Sequence, residues 1–255
     1  MKRSVRSSWL LAGAMALLLC WASGAFATDF VVTGWTGQLW GEYTSPYTTN
    51  NATVGNIVCD DFKDVTYIGQ NNTYNQVSAN SIIAANGVGG VWNGVGGNGA
   101  QYAAAAYLAL QVYGSSGVTQ QYYNWALWAF FDPSDALAAM NKNGVTQEGC
   151  TAIFGSSMSW SGGKCVGGTG GVIGDANKNG WADYLAGDFN SLVLYTPQNS
   201  SGTGWCSTPG SCQSQEFFGM VPEGGSPWAY LGLAALACLG TAHYSRRHPV
   251  FEKVQ

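Results

Sequence analysis

Hydrophobic positions along the 255-residue chain fall into two terminal blocks and a mixed body. Trp9 to Trp21 is one apolar stretch, and Trp228 to Tyr244 is another, 17 residues without Asp, Glu, Lys or Arg. Between them the pattern is short and broken. Phe30-Val31-Val32-Thr33, Asn56-Ile57-Val58-Cys59, Asp64-Val65-Thr66-Tyr67-Ile68 and Ser191-Leu192-Val193-Leu194-Tyr195 predict strands. The Ala-rich run from Gln101 to Tyr113 predicts a helix. Thr119 is placed to cap a second helix, with Tyr122, Trp125, Ala126 and Ala129 on one stripe. Leu127, Trp128 and Phe130 cover its other sides, so it should be buried nearly all round. Asp132-Pro133 opens a short helix through Met140, with Gly144 as its stop. Residues 86–99 hold seven glycines in fourteen positions and predict a loop. Strands at both ends of a helical middle predict an α+β domain, an antiparallel sheet or sandwich-like body with inserted helices.

The terminal blocks change what counts as the domain. Lys2, Arg3 and Arg6 precede the first, and Ser23-Gly24-Ala25-Phe26-Ala27 follows it as an A-x-A site, which predicts a secretory signal peptide over 1–27. The second is followed by Arg246-Arg247, which predicts a transmembrane helix over 228–244 whose tail stays cytoplasmic. That leaves an extracellular body at 28–220, long enough for one domain that buries about 70% of its unfolded surface.

Composition narrows the chemistry of that body. Charged residues are 9% of the chain, against about 25% in an ordinary soluble domain. The body carries four lysines against twelve Asp and Glu, a net charge of −8 that repels nucleic acid and anionic lipid. Both histidines, His243 and His248, lie in the terminal tail. A histidine-free body excludes Ser-His-Asp and Cys-His catalysis and the common His-based zinc sites. Asp60, Asp61 and Asp64, or Asp132 and Asp135, are read as ordinary acidic residues rather than a glycosidase pair. Gly94-x-Gly96-x-x-Gly99 lacks a leading strand and reads as a flexible loop, not a dinucleotide fingerprint. No enzyme activity and no cofactor are expected.

Five cysteines fall in the body. Export favours disulfides, and sequence proximity pairs Cys150 with Cys165 and Cys206 with Cys212, leaving Cys59 odd. Asp175-x-Asn177-x-Asn179-Gly180-x-x-Asp183 has the oxygen spacing of a calcium loop, though Ala186 stands where a bidentate Glu normally completes it. A weak calcium site is therefore a candidate beside a plain Asn-Gly turn. Trp92, Trp160 and Trp205 lie in glycine-rich segments and are the candidates for stacking on sugar rings.

Two resemblances add to this reading. Val221-Pro222-Glu223-Gly224-Gly225, the terminal apolar stretch and Arg246-Arg247, in that order, resemble the PEP-CTERM sorting signal over residues 221–255. The resemblance implies an exosortase-type partner, transient anchoring in the inner membrane, removal of the tail, and delivery to the surface or matrix of a Gram-negative bacterium. The order Ile57-Val58-Cys59-Asp60-Asp61-Phe62, Ala104-Ala105-Ala106-Tyr107-Leu108, Asn124-Trp125-Ala126-Leu127-Trp128, Ser214-Gln215-Glu216-Phe217-Phe218 also looks like that of many such surface proteins. Its Cys and Ala-hydrophobic-Trp elements resemble the thioester domains of bacterial adhesins. That likeness implies a cross-link between Cys59 and the side chain at 124, which is Asn here, with Gln120 and Gln121 one turn away. The bland alternative is a buried thiol packed against Trp128. The expected protein is an exported, non-enzymatic surface or matrix component linked to exopolysaccharide or biofilm. The alternatives are a thioester-type adhesin or a carbohydrate-binding module.

Overall fold

The structure, a computed structural model, describes residues 26–221. The expected signal peptide (1–27) up to residue 25, the expected sorting motif from Pro222, the stretch 228–244 and the basic tail lie outside the described residues, while Phe26 and Ala27 pair with Gln76 and Asn75 in the sheet. Among the described residues no helix is long and apolar enough to cross a membrane.

Six antiparallel strands close into a barrel. β1 (Phe26–Leu39) turns through Trp40 and Gly41, both at positive φ (49° and 81°), into β2 (Glu42–Thr49). Two positive φ values in a two-residue loop match the right-handed twist of the flanking strands. β3 (Ile57–Cys59) follows β2 in the sheet, and β4 (Asn71–Ser78) pairs with the first half of β1. β7 (Leu192–Pro197) and β8 (Phe217–Met220) complete the ring, β7 against β4 and β8 against β3. The barrel is filled by aromatic rings: Phe30 stacks on Tyr74 at 4.1 Å and 4°, with Tyr195 and Phe217 edge-on to Phe30. Such edge and stacked pairs suit the ring quadrupole.

The helices enter between β4 and β7. They are α1 (Ala79–Ala84), α2 (Gly99–Gly114), α3 (Gly117–Phe131), α4 (Pro133–Lys142), α5 (Gln147–Phe154) and α6 (Gly171–Ala186). A small hairpin, β5 (Trp160–Ser161) and β6 (Lys164–Cys165), follows α5. Local chemistry sets several boundaries. Asn98 and Gln101 form a reciprocal capping box on α2, and Asp132 caps α4 ahead of Pro133. α2 and α6 approach closely because Gly180 faces the Ala103–Ala104 backbone, 2.6 Å from where a Cβ would lie. α3 packs on β1, β2 and β3 of the barrel, with Trp125, Ala126 and Leu127 fully buried.

Three expectations need correction. Residues 64–68 are a loop, because Asp61 Oδ1 accepts the N–H groups of Lys63 and Asp64 and folds the chain into a turn. The second helix starts at Gly117 behind Ser116, not at Thr119. The glycine-rich stretch at 86–99 contains a short 3-10 helix at Val91–Val95, which buries Trp92.

Candidate functional site

The two halves of the cysteine pattern meet where β3 touches α3. Cys59 N–H donates to Ser45 Oγ on β2 at 2.9 Å. Asn124 closes the junction: its Nδ2 donates to the Cys59 carbonyl at 3.1 Å, and its Oδ1 accepts the Ser45 N–H at 2.6 Å. One side chain thus ties a helix to two strands, with every polar atom of its amide engaged on backbone. The thiol donates to the Asp61 carbonyl at 3.0 Å, with the Trp128 indole beside it. Burial, then the nearby Asp61 and Asp60, push the thiol well above its usual range, so it stays protonated. Gln120 turns away: its Nε2 donates to the carbonyls of Val112 and Ser115, at 2.8 and 2.9 Å, and finishes α2. Gln121 lies against Gly37 of β1. Cys59 is a free, buried thiol, and the Asn124 and Gln120 amides around it are engaged on backbone.

Directly after Cys59 comes a buried acidic knot that sequence reasoning missed. Asp60 and Glu216 are both fully buried. Glu216 accepts the Val91 N–H at 2.9 Å, the Thr196 hydroxyl at 2.8 Å and the Tyr102 hydroxyl at 3.1 Å. Neither carboxyl oxygen of Asp60 has a hydrogen-bond partner, and the Asp60 carboxyl lies close enough to Glu216 for the two charges to oppose each other. Burial raises Asp60 well above the carboxylate range and pushes Glu216 up to about 7. Asp61 lies beside Asp64, and burial followed by that neighbour raises Asp61. Asp64 accepts the N–H groups of Gly210 and Cys212, at 2.8 and 3.1 Å. Asp61, Asp64 and Cys212 bring ligand-type atoms within 4.8 Å of one another. Cys212 is closed in a disulfide and Asp64 is occupied by backbone donors, so the cluster is a structural junction.

Over this junction the surface opens into a cleft of about 340 Å³. Trp128, which faces Cys59, and Phe62 and Phe217 form its inner wall. Trp35, Tyr43 and Tyr47 form the outer wall, with Glu42, Thr66 and Gln215 among the polar groups. Val32 and Trp35 are three residues apart and would face opposite sides of a regular strand. The register shift between Val32 and Gly34 lets both line the cleft. Trp35 is 40% exposed and lies 3.8 Å, centroid to centroid, from Tyr43, which is 46% exposed.

The remaining candidates separate. Cys150–Cys165 and Cys206–Cys212 are disulfides, with Cα separations of 5.8 and 5.4 Å. The calcium loop is overturned: Asp175, Asn177, Asn179 and Asp183 all lie in α6. At 100° per residue, Asn177 points away from the face shared by the other three, and its amide bonds to the Ile173 carbonyl. The Gly180 contact with α2 keeps this segment helical despite its Asn-Gly pair. Of the sugar-stacking tryptophans, Trp92 is corrected, being buried and stacked on Phe131 at 5.0 Å and 5°. Trp160 is half-buried in β5, and Trp205 is 40% exposed beside the second disulfide. Lys63 bridges Asp132 and Asp135 at 3.6 and 3.8 Å, so that carboxylate pair is an ion-pair site. No protein-family model matches the chain, and no curated protein or solved structure was found to be similar to it.

Proposed function

We propose that the chain is an exported, non-enzymatic component of a Gram-negative cell surface or extracellular matrix. In this reading an exosortase-type enzyme processes it after transient membrane anchoring through 228–244, and it associates with exopolysaccharide. The observation that carries the reading is the pair of disulfides, Cys150–Cys165 and Cys206–Cys212, because such bonds persist in oxidising compartments outside the cytosol. The described residues contain no histidine. Asp60, Asp61 and Glu216 are sealed in the core, and Glu216 is occupied by the Val91 N–H and the Thr196 and Tyr102 hydroxyls, which supports a binding or structural role over hydrolysis. Fractionation of the native host followed by mass spectrometry tests this. The expected species is a surface-derived protein with both disulfides intact, lacking residues 1–27 and the segment from Trp228 to Gln255. Extracellular protein that still carries that C-terminal segment, or reduced protein in the cytosol, would sink the reading.

A further inference from the structure

We infer that the cleft between β1, β2 and the 62–68 loop binds a neutral, hydroxyl-rich saccharide, with Trp35 and Tyr43 as its stacking platform. The inference rests on the surface reading above and gives that role a specific ligand class.

Shape comes first. Two large rings in contact, each more than a third exposed, are unusual on a body that otherwise fills its barrel with aromatics. Clustered exposed apolar groups rimmed by polar ones mark binding surfaces. The apolar C–H face of a pyranose ring offers a flat partner to such a platform. Val65 and Ile68 extend the same surface from the opposite loop, at 58% and 48% exposure. The cavity, about 340 Å³, falls at the small end of ligand pockets, which run from about 300 to 1,000 Å³, and suits a short stretch of a glycan chain.

Charge and hydrogen bonding then choose the ligand. Glu42 and Asp64 line the cleft, and no Lys or Arg does, so an anionic polymer is repelled. Gln215 gives its amide N–H to the Asp61 carbonyl at 2.7 Å, which leaves its side-chain carbonyl as an acceptor. The Gln215 carbonyl and the Glu42 carboxylate are acceptors that match a ligand rich in hydroxyl donors, and a purely apolar chain would leave them unpaired.

The cleft is also held in shape before any ligand arrives. Two register shifts flank Trp35 and aim it over the opening. On the facing side, Asp64 grips the Cys206–Cys212 loop and Thr66 accepts the Gln215 N–H at 3.0 Å. A lining fixed on both sides loses little freedom on binding.

The test uses the full chain purified with its disulfides intact. Cellohexaose, laminarihexaose, mannohexaose and xylohexaose are titrated in parallel with polygalacturonate, read by calorimetry and tryptophan fluorescence. The expected result is saturable binding of at least one neutral hexaose and none of polygalacturonate. Trp35→Ala and Tyr43→Ala should each weaken that binding about tenfold or more, while Trp35→Phe retains most of it. Trp205→Ala, at the exposed tryptophan of the disulfide loop, should leave affinity unchanged. Near-UV circular dichroism confirms that each variant is folded. The inference is overturned if all four hexaoses fail, if polygalacturonate binds more tightly, or if binding survives both alanine variants. Sedimentation showing a dimer that Trp35→Ala dissolves would overturn it too, by assigning the cleft to a second copy. These measurements use purified protein and fractionation uses the host, so failure of one is distinguishable from failure of the other.

Discussion

Asn124 shows how much a single amide can hold. Removing it as Asn124→Ala leaves the Ser45 N–H and the Cys59 carbonyl buried without partners. Each orphaned group costs about 1–3 kcal/mol, so the variant should lose about 2–6 kcal/mol in urea denaturation. Asn124→Gln, longer by one methylene, should also lose stability, because the extra length has no room in a fully buried site. A native-like urea midpoint for Asn124→Ala would remove the junction from the account of stability. The thiol next to it should react with alkylating reagent only after denaturation, with no reductant needed. The Cys59 peptide should show no mass loss corresponding to ammonia. From the sequence, Cys59 and Asn124 could be singled out by residue type and order. Their actual bonds, thiol to Asp61 and amide to backbone, arise only once β2, β3 and α3 are assembled.

The elements differ in what holds them. α2 and α6 rest on a glycine contact, so Gly180→Ala should place a methyl group against the Ala103 carbonyl and force the helices apart. Overpacking of this kind costs about 1–3 kcal/mol. Gly114→Ala, at the open end of α2 with nothing nearby, is the control and should be neutral or slightly stabilising. Thermal melts of the two variants make the comparison. The disulfides should rank by loop length. Cys150–Cys165 has a sequence separation of 15, worth about 3 kcal/mol by loop-closure entropy, and Cys206–Cys212 has a separation of 6, worth about 2 kcal/mol. Double Cys→Ser variants melting in the reverse order would argue against that entropic account. α2, α4 and the cores of β1 and β7 were legible in the sequence because caps, periodicity and β-branched runs act within a few residues. β2 and β4 were not: their Thr-, Asn- and Gln-rich sequences become strands through partners far along the chain.

At the scale of the whole molecule, the buried carboxyls set the response to pH. Asp60, Asp61 and Glu216 are all raised by burial first. The folded state therefore keeps protons that the unfolded chain releases at the ordinary carboxyl range, about pH 4. Stability should be greatest on the acid side and fall as pH rises from there through about 7, where Glu216 titrates. Urea midpoints at pH 5 and pH 8 should differ in that direction, and Glu216→Gln should flatten the difference. A midpoint at pH 8 equal to or above that at pH 5 would contradict the raising of these carboxyls by burial.

The sequence by itself determined an antiparallel mixed fold with inserted helices, the pairing of four neighbouring cysteines, and a body without histidine. Each follows from composition or from residues close enough along the chain to interact directly. Only the tertiary structure decided that the sheet closes as a barrel, that Asp175 to Asp183 is helix instead of a calcium loop, and that Trp35 faces a cleft while Trp92 is core. Those outcomes depend on register shifts, on the approach of α2 to Gly180, and on pairing between distant strands. Such contacts are made by surfaces that exist only after folding, so no local pattern carries them.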